Sequence, residues 1–359
     1  MLEPPEAPYA WDGGPLTDPR VELLFRPCST LLTAAKTPRG LLAVSCCTRE
    51  TGPASFPPRI SMLFVWDVES GTLLRRIDGL RGDVLTAVLA ADGSFLVVGT
   101  RGSQPGRPAD GLVVCPLEGE TAPFAIPGHE AGVNELLLFP DGERAASIGE
   151  DHVVRITDLA ARKVLRAWTA DEDDPPASLA ARCDGQRVFV GGGGLSLRLF
   201  DPESDACLVT GTTRDESRPV SAEDAEYVSG DPRLPSAATF LPDDERLIVG
   251  DPSGRLALWD PRADGPPTPL AETGSPVRAI ALSPDGGIVA AGLGGTWLNR
   301  RLRRPSNFSI PIVEAATGAP VTTLTGMWIT PGVIGFLDDG ERVYGVSPQA
   351  VRVWRLEPR

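Results

Sequence analysis

The sequence predicts an all-β fold: a seven-bladed β-propeller of four-stranded antiparallel units, closed by an N-terminal strand that completes the last unit. Three observations predict it. The 359 residues include 39 Gly and 36 Pro, about a fifth of the chain, which is typical of a fold rich in turns. Asp-Gly pairs recur between apolar runs, and they favour hairpins because Gly accepts a positive φ. Two further apolar strands follow most hairpins, which gives four strands per unit.

Seven hairpins mark the seven units. Each begins with an apolar run, turns at a small polar pair and continues into a second apolar run. The Asp-Gly pairs are Asp92-Gly93, Asp141-Gly142, Asp184-Gly185, Asp285-Gly286 and Asp339-Gly340, and the weaker members are Asp243-Asp244 and Arg39-Gly40.

The fourth strand of a unit is predicted to lie at the outer edge of its sheet. Several fourth strands are predicted to carry proline, which a sheet tolerates mainly at an edge where no ladder hydrogen bond is lost. These prolines are Pro123, Pro127, Pro267, Pro269 and Pro320.

The last unit ends after its third strand, residues 351–356, while an unassigned apolar segment, residues 21–25, precedes the first unit. We expect residues 21–25 to supply the missing outer strand. The domain prediction is therefore a proline-rich N-terminal extension over residues 1–20 and one propeller over residues 21–359.

Short motifs support the same fold. Trp66-Asp67 and Trp259-Asp260 end third strands, as does Trp354, and Gly128-His129 precedes a first strand. With these residues and the turns at 139–142 and 283–286, the chain resembles the WD40-repeat family over residues 21–359. The resemblance implies a rigid scaffold that binds other proteins.

The resemblance also implies a hydrogen-bonded set inside a blade, made of His, Ser or Thr, Asp and Trp. The third unit comes nearest to this set, with His129, Ser147 and Asp151, but Thr157 stands where the family has Trp. The other units lack Gly-His, so we expect them to depend more on apolar packing between blades. Trp66, Trp259 and Trp354 are expected to have structural roles.

Four insertions lengthen the units. Three lie between second and third strands, at residues 47–61, 100–110 and 293–308, and one joins the fourth unit to the fifth, at residues 212–234. In a four-stranded propeller blade these two kinds of loop open on the same face. Long loops on a rigid scaffold tend to carry recognition, so this face is predicted to bind partners.

Charge is unevenly spread over these loops. Residues 293–308 carry four Arg and no acid, and the other two second-to-third-strand loops add one net positive charge each. We call these three loops the basic arc. In contrast, the segments 171–174 and 212–234 carry a net negative charge. Since Arg and aromatic residues are enriched at binding hot spots, we expect the arc to bind an acidic partner segment. Its candidate residues are Trp297, Arg300, Arg301, Arg303, Arg304, Phe308, Phe56, Arg59, Arg101 and Arg107.

Residues for catalysis are few. His129 and His152 are the two histidines, and Glu135 is the acidic residue of the predicted first strands. One carboxylate can form neither a hard-cation site nor an acid–base pair. We therefore expect no catalytic residue, no metal and no cofactor, and a scaffold or adaptor subunit that binds other proteins. Two alternatives stay open: a metal-dependent hydrolase-like propeller enzyme using loop carboxylates, and a single-stranded nucleic-acid binder using the Arg-rich loop.

Composition bears on location and partners. The formal net charge of −14 argues against generic binding to nucleic acid or anionic membranes. No apolar run approaches the roughly 18 residues that span a bilayer, and the first residues lack a secretory pattern. The six cysteines are scattered, as in reduced proteins. We expect a cytoplasmic protein with no membrane contact.

Overall fold

The computed structural model describes residues 18–27, 29–50, 59–102, 111–129, 132–170, 174–192, 196–204, 206–212, 237–243, 245–294, 308–327 and 330–357. Within these ranges the regular structure is all β-strand. The strands form seven four-stranded sheets, and each sheet is one blade. The predicted seven-bladed β-propeller is confirmed.

In chain order the strands of blades 1 to 3, with the preceding β1, are β1 Val21–Phe25, β2 Thr30–Thr37, β3 Gly40–Glu50, β4 Arg59–Asp67, β5 Leu73–Arg81, β6 Asp83–Leu89, β7 Phe95–Arg101, β8 Leu112–Pro116, β9 Phe124–Ile126, β10 Val133–Leu138, β11 Arg144–Gly149, β12 Val153–Asp158 and β13 Lys163–Thr169. Blade 1 is β2–β5, blade 2 is β6–β9 and blade 3 is β10–β13.

The remaining strands are β14 Pro176–Ala181, β15 Val188–Gly192, β16 Ser196–Phe200, β17 Cys207–Thr212, β18 Ala237–Phe240, β19 Leu247–Gly250, β20 Arg255–Trp259, β21 Thr268–Glu272, β22 Val277–Leu282, β23 Ile288–Leu293, β24 Ile310–Glu314, β25 Pro320–Leu324, β26 Val333–Phe336, β27 Arg342–Ser347 and β28 Ala350–Arg355. Blade 4 is β14–β17, blade 5 is β18–β21, blade 6 is β22–β25, and blade 7 has the strand order β1-β28-β27-β26.

Contacts divide the chain into two compact units. The first comprises residues up to Ala167 together with Val346–Arg355. In it, the first strands of blades 1, 2 and 3 touch in turn. Apolar side chains of neighbouring sheets interdigitate: Leu63 of blade 1 packs in one cluster with Leu96 of blade 2, and both are fully buried.

The second unit comprises Trp168–Gly345 and the last residues of the chain. Phe189 of blade 4 meets Trp259 of blade 5 edge-on, with ring centroids 5.9 Å apart. Val277 and Val289 of blade 6 join Ile248 of blade 5 in the next apolar cluster. As in the first unit, packing between sheets provides the core.

The Asp-Gly turns have a common geometry. The glycines at 93, 142, 185, 286 and 340 have φ between 66° and 72°. At Gly142 the N–H donates to the Phe139 carbonyl at 3.0 Å, so a type I turn is followed by a left-handed glycine. Asp141 accepts the N–H of Glu143 at 2.8 Å and pairs with Arg144 at 2.8 Å. Asp243 with Arg246, and Asp339 with Arg342, repeat this ion pair.

The hairpin of β3 and β4 is longer than the sequence pattern predicts. Pairing continues to Glu50 opposite Arg59, so much of the predicted insertion 47–61 is strand. In the same way, β7 continues to Arg101. Arg59 and Arg101 therefore belong to strands, because backbone pairing between the strands continues beyond the last residues that alternate between apolar and polar.

The N-terminal strand completes blade 7. β1 runs antiparallel to β28, with Val21 opposite Trp354 and Phe25 opposite Val351. Phe25 is 2% exposed and its ring centroid lies 5.8 Å from that of Trp66 in blade 1. The predicted closure is confirmed, whereas the domain boundary at residue 20 stays a prediction because residues 1–17 lie outside the described part.

The fourth strands lie at sheet edges as predicted, but of the five prolines only Pro269 and Pro320 lie within them, and the other three lie just outside. Pro123 and Pro127 flank β9, Pro269 lies within β21 after Pro267, and Pro320 begins β25. Within the described ranges, no helix has the length and apolar character needed to cross a bilayer.

We predict that Phe25→Ala lowers the free energy of unfolding by about 3–5 kcal/mol, because it removes a buried aromatic ring. Glu22→Ala on the same strand is the matched control; Glu22 forms a solvent-exposed pair with Arg355, and its loss should cost under about 1 kcal/mol. Urea unfolding measures both. Equal effects would show that β1 does not anchor blade 7 through Phe25.

Candidate functional site

Three of the ten predicted partner-binding residues lie in the described part of the chain: Arg59, Arg101 and Phe308. Arg59 and Arg101 are in the first compact unit. Phe308 is in the second, where it lies half-buried just before β24. The other seven, Trp297, Arg300, Arg301, Arg303, Arg304, Phe56 and Arg107, lie outside the described residues.

Arg59 joins blade 1 to blade 2. It is the first residue of β4, and its Nη1 donates to Oδ2 of Asp83, the first residue of β6, at 2.9 Å. Its Nη2 lies 3.4 Å from Glu50 Oε1. The hydrogen bond that Arg59 donates to Asp83 is the main reason why the pKa of Arg59 is raised. Two carboxylates therefore offset this positive charge.

Arg101 joins blade 2 to blade 3. Its Nη1 donates to Glu150 Oε1 at 2.9 Å. Glu150 is fixed in turn, because its N–H donates to the Gly132 carbonyl at 2.7 Å. Arg101 is 41% exposed at its side chain, so the pair remains open to solvent. In the described part of the basic arc, Arg59 and Arg101 therefore each join two blades, and each side chain stays partly exposed to solvent.

His129 is held in a polar set in blade 3. Its Nε2 lies 2.7 Å from Ser147 Oγ, and its Nδ1 lies 3.2 Å from Asp151 Oδ1. The His129 side chain is 2% exposed and Ser147 is fully buried. The set resembles a Ser-His-Asp triad in spacing, but the buried hydroxyl gives a substrate no access, so its role is structural.

Arg155 completes this set, which the sequence pattern did not predict. Its Nη1 lies 2.7 Å from His129 Nδ1 and 2.7 Å from Asp151 Oδ2. Arginine only donates, so Nδ1 accepts and the ring proton lies on Nε2, facing Ser147. Burial, and then the charge of Arg155, lower the pKa of His129.

Blade 1 has a polar set without histidine. The Trp66 indole N–H donates to Ser45 Oγ at 2.9 Å, and Ser29 Oγ donates to the same oxygen at 2.7 Å. Ser45 is fully buried. The expectation that units without Gly-His rely on apolar packing is therefore incomplete for this blade, because a serine before the first strand takes the place of histidine.

Trp259 and Trp354 are core residues, 2% and 0% exposed. Trp259 packs beneath the outer strand of blade 4, where a Cβ on Gly211 would lie 3.1 Å from the indole nitrogen. Glycine at this position allows the close approach.

Blade 4 has a third arrangement. Asp174 pairs with Arg198, and Arg198 is two residues before Phe200 just as Arg155 is two residues before Thr157. If Gly192 carried a Cβ atom, that atom would lie 2.2 Å from Asp174 Oδ1. In blade 3, a Cβ atom on Gly149 would clash with His129 in the same way. In both sets the Arg stands two residues before the position that Trp66 and Trp259 occupy in their own third strands, and this spacing is the sequence signal that the sets share.

Glu135 lies on β10, the first strand of blade 3. It is half-buried, and burial raises the pKa of its carboxyl group to about 7. Among the residues that the structure describes, no three His, Cys, Asp or Glu side chains gather as a metal site would require. Glu135 by itself supplies neither a hard-cation site nor an acid–base pair.

We predict that Ser45→Ala lowers the free energy of unfolding by about 1–3 kcal/mol, because the buried Trp66 N–H loses its acceptor. Ser70→Ala is the control, since Ser70 bonds Thr72 in an exposed turn, and its effect should stay within about 0.5 kcal/mol. Thermal and urea unfolding measure both. If Ser45→Ala left the free energy of unfolding unchanged, the hydrogen bond from Trp66 to Ser45 would not contribute to stability.

We also predict a pH dependence from His129. Its pKa in the folded protein lies below the unfolded value of 6.5, so the unfolded chain binds the proton more readily. Stability is then complete above pH 6.5 and declines as the pH falls toward the folded pKa. Between pH 7.5 and 5.5 the wild type should lose more stability than His129→Gln, measured by urea unfolding with tryptophan fluorescence. Other titrating groups, such as Glu135, are common to both chains; parallel curves would contradict the prediction.

Comparisons with known proteins agree with this architecture. No family model matches the chain. A segment of 137 residues is 27% identical to the methylosome protein WDR77 of Xenopus laevis, and it spans 38% of this chain and 36% of that protein. A chain in the crystal structure of a mitotic checkpoint complex is 16% identical, with a TM-score of 0.69 over 98% of this chain and 99% of that one. Together with the seven sheets, the structural likeness shows a seven-bladed β-propeller, and the repeated motifs and the similarity to WDR77 support its resemblance to WD40-repeat proteins.

Proposed function

We propose that the protein is a non-catalytic interaction scaffold or adaptor subunit that binds partner proteins through the loop-bearing ends of its blades. The observation that carries the proposal is the asymmetry of the blades. The first-to-second-strand turns of blades 2 to 7 are short and closed by aspartate, as at Asp141, while the insertions lie between second and third strands or between blades. By name, WDR77 is a methylosome protein and the structural neighbour comes from a mitotic checkpoint complex.

The proposed partner is an acidic protein segment. Arg59 and Arg101 are paired with carboxylates of the chain itself, so they add less positive charge than a count of loop residues suggests. Residues 293–308, with Arg300, Arg301, Arg303 and Arg304 and no acid, carry the main positive charge of the basic arc. Electrostatic complementarity would raise the rate of association with an acidic segment and orient it.

The proposed location is the cytoplasm. Cys46, Cys47 and Cys207 are thiols, and burial raises the pKa of the Cys46 thiol above its usual value. Cys207 is exposed and still unpaired with another cysteine, and free thiols of this kind are typical of a protein in a reducing compartment. No described observation favours the enzyme or nucleic-acid alternatives.

We predict that replacing Arg300, Arg301, Arg303 and Arg304 with Ser abolishes capture of the protein partner. The measurement is affinity purification of the full chain from cells that make it, followed by mass spectrometry. The control replaces Arg144, Arg246, Arg262 and Arg342 with Ser, which removes the same number of positive charges from residues that pair with turn aspartates outside the basic arc, and its melting temperature verifies that it is folded. Full retention of partners by the first variant, or equal loss with the control, would refute the basic arc as the docking site.

A further inference from the structure

The outer edge of β17, the last strand of blade 4, differs in chemistry from the outer edges of the other blades. Among the described strands, β17 pairs with β16 alone. An edge of this kind can pair with a further strand, and proteins usually prevent this with charged residues, with proline or by keeping the strand short. β17 is six residues long, Cys207–Thr212, and its sequence Cys-Leu-Val-Thr-Gly-Thr contains neither a charge nor a proline.

The other outer strands that the structure describes each have one of these protections. Charged residues lie on three of them, proline lies within two, and the remaining one is short. The charged strands are β1 with Glu22, β5 with Arg75 and Arg76, and β13 with Lys163 and Arg166; the strands with proline are β21 with Pro269 and β25 with Pro320; and the short strand is β9, Phe124–Ile126. An unprotected edge therefore distinguishes blade 4.

β17 is accessible and already held in an extended conformation. Its Leu208 side chain is 43% exposed, and Cys207 and Thr210 are exposed as well. Val209 packs against the apolar cluster that contains Trp259, and this contact fixes the strand together with its pairing to β16. Because the strand is preformed, only a ligand that adds to it would lose conformational freedom on binding.

The size of this edge indicates what could occupy it. A six-residue strand is about 20 Å long at the usual rise, and Leu208 is its one exposed large apolar side chain. Two copies of the chain paired through β17 would gain little apolar area from it, whereas stable interfaces bury about 1,200 Å² or more. A short extended peptide has no such requirement, because main-chain hydrogen bonds along its length supply the affinity. A partner segment therefore fits this edge better than a second copy.

The composition of β17 also restricts the sequence of that segment. Side chains directly opposite each other on neighbouring strands are in contact, and aromatic, β-branched and Thr pairs stabilise a sheet. Leu208 favours an aromatic or β-branched residue opposite it, and the hydroxyl of Thr210 favours Thr or Ser. Since β17 has no charged side chain to pair with a charged ligand, we expect the segment to be uncharged, unlike the acidic segment proposed for the basic arc.

We propose that β17 binds an extended, uncharged segment of a partner protein, which adds to blade 4 as a fifth strand. The segment forms main-chain hydrogen bonds with the outer edge of β17 and places an apolar side chain beside Leu208. The inference rests on the proposed scaffold function, but it does not depend on the basic arc.

The test uses decapeptides as probes. A phage library built from uncharged residues is panned on the full wild-type chain, and enriched peptides are made with a fluorescein label. Their dissociation constants are measured by fluorescence polarisation on the wild type, on Leu208→Lys and on Leu74→Lys. Leu74→Lys is the matched control, because it places the same charge at a leucine that is 47% exposed on β5. Each peptide is also made with N-methyl groups on alternate residues, in both possible frames.

We expect enriched peptides that are rich in β-branched and aromatic residues. Leu208→Lys should weaken their binding about fivefold, as loss of a cross-strand pair does, and Leu74→Lys should bind as the wild type does. In an added strand, the N–H groups of alternate residues point toward β17. N-methylation in one frame should therefore weaken binding about tenfold or more, and in the other frame it should leave binding unchanged.

Hydrogen exchange, followed by mass spectrometry, locates the peptide without any substitution. A bound peptide should slow exchange over residues 207–212 and leave exchange in β5 unchanged. Melting temperatures verify that both Lys variants fold, and the exchange measurement keeps the test decisive if Leu208→Lys does not.

The inference is overturned if no peptide is enriched, if Leu208→Lys binds the peptides as well as the wild type does, or if both methylation frames have the same effect. It is also overturned if sedimentation shows a wild-type dimer that Leu208→Lys abolishes, because the occupant would then be a second copy. These outcomes leave the scaffold function intact as long as the arginine loop still captures its partner. Conversely, peptide binding at β17 together with full partner capture by the loop variant would support the β17 edge and refute the basic arc.

Discussion

Each sheet of this chain is apolar on both faces, and the architecture depends on that constraint. In β7, Leu96 and Val98 face the cluster shared with blade 1, while Val97 between them faces the cluster shared with blade 3, and all three are fully buried. A strand buried on both faces is nearly continuous in apolar residues, and no sheet of this kind is stable alone. The same need explains why β1 completes blade 7, since β28 would otherwise expose an unpaired apolar edge.

Buried polar residues are then confined to sites where a hydrogen-bond or ion-pair partner is close enough to contact them. The blades differ in which residues supply that partner. Blade 3 uses His129 with Arg155, blade 1 uses Ser45 with Trp66, and blade 4 uses Asp174 with Arg198. Buried polar groups require hydrogen bonds, but several donor and acceptor sets fit one backbone position. Degeneracy of the WD40 motif therefore reflects substitution within these sets, and the fold tolerates it because apolar packing supplies most of the stability.

Packing between blades also distinguishes charged residues that pair within the chain from those that remain available to a partner. Arg59 and Arg101 meet carboxylates of the next blade, so part of the charge in the insertions contributes to blade packing. Exposed ion pairs of this kind contribute little energy each, yet they fix where charge is presented.

The sequence by itself determined the strand class, the seven repeats, the Asp-Gly turns and the closing strand, because period-2 apolar patterns and left-handed glycines are local properties. It also placed His129, Ser147 and Asp151 through a motif. Only the tertiary structure decided which charges are paired and that Ser29 and Ser45 replace a histidine set. These features join residues far apart along the chain, such as Arg101 and Glu150 at a separation of 49 residues. Such pairs depend on strand register and blade packing, which no short pattern encodes.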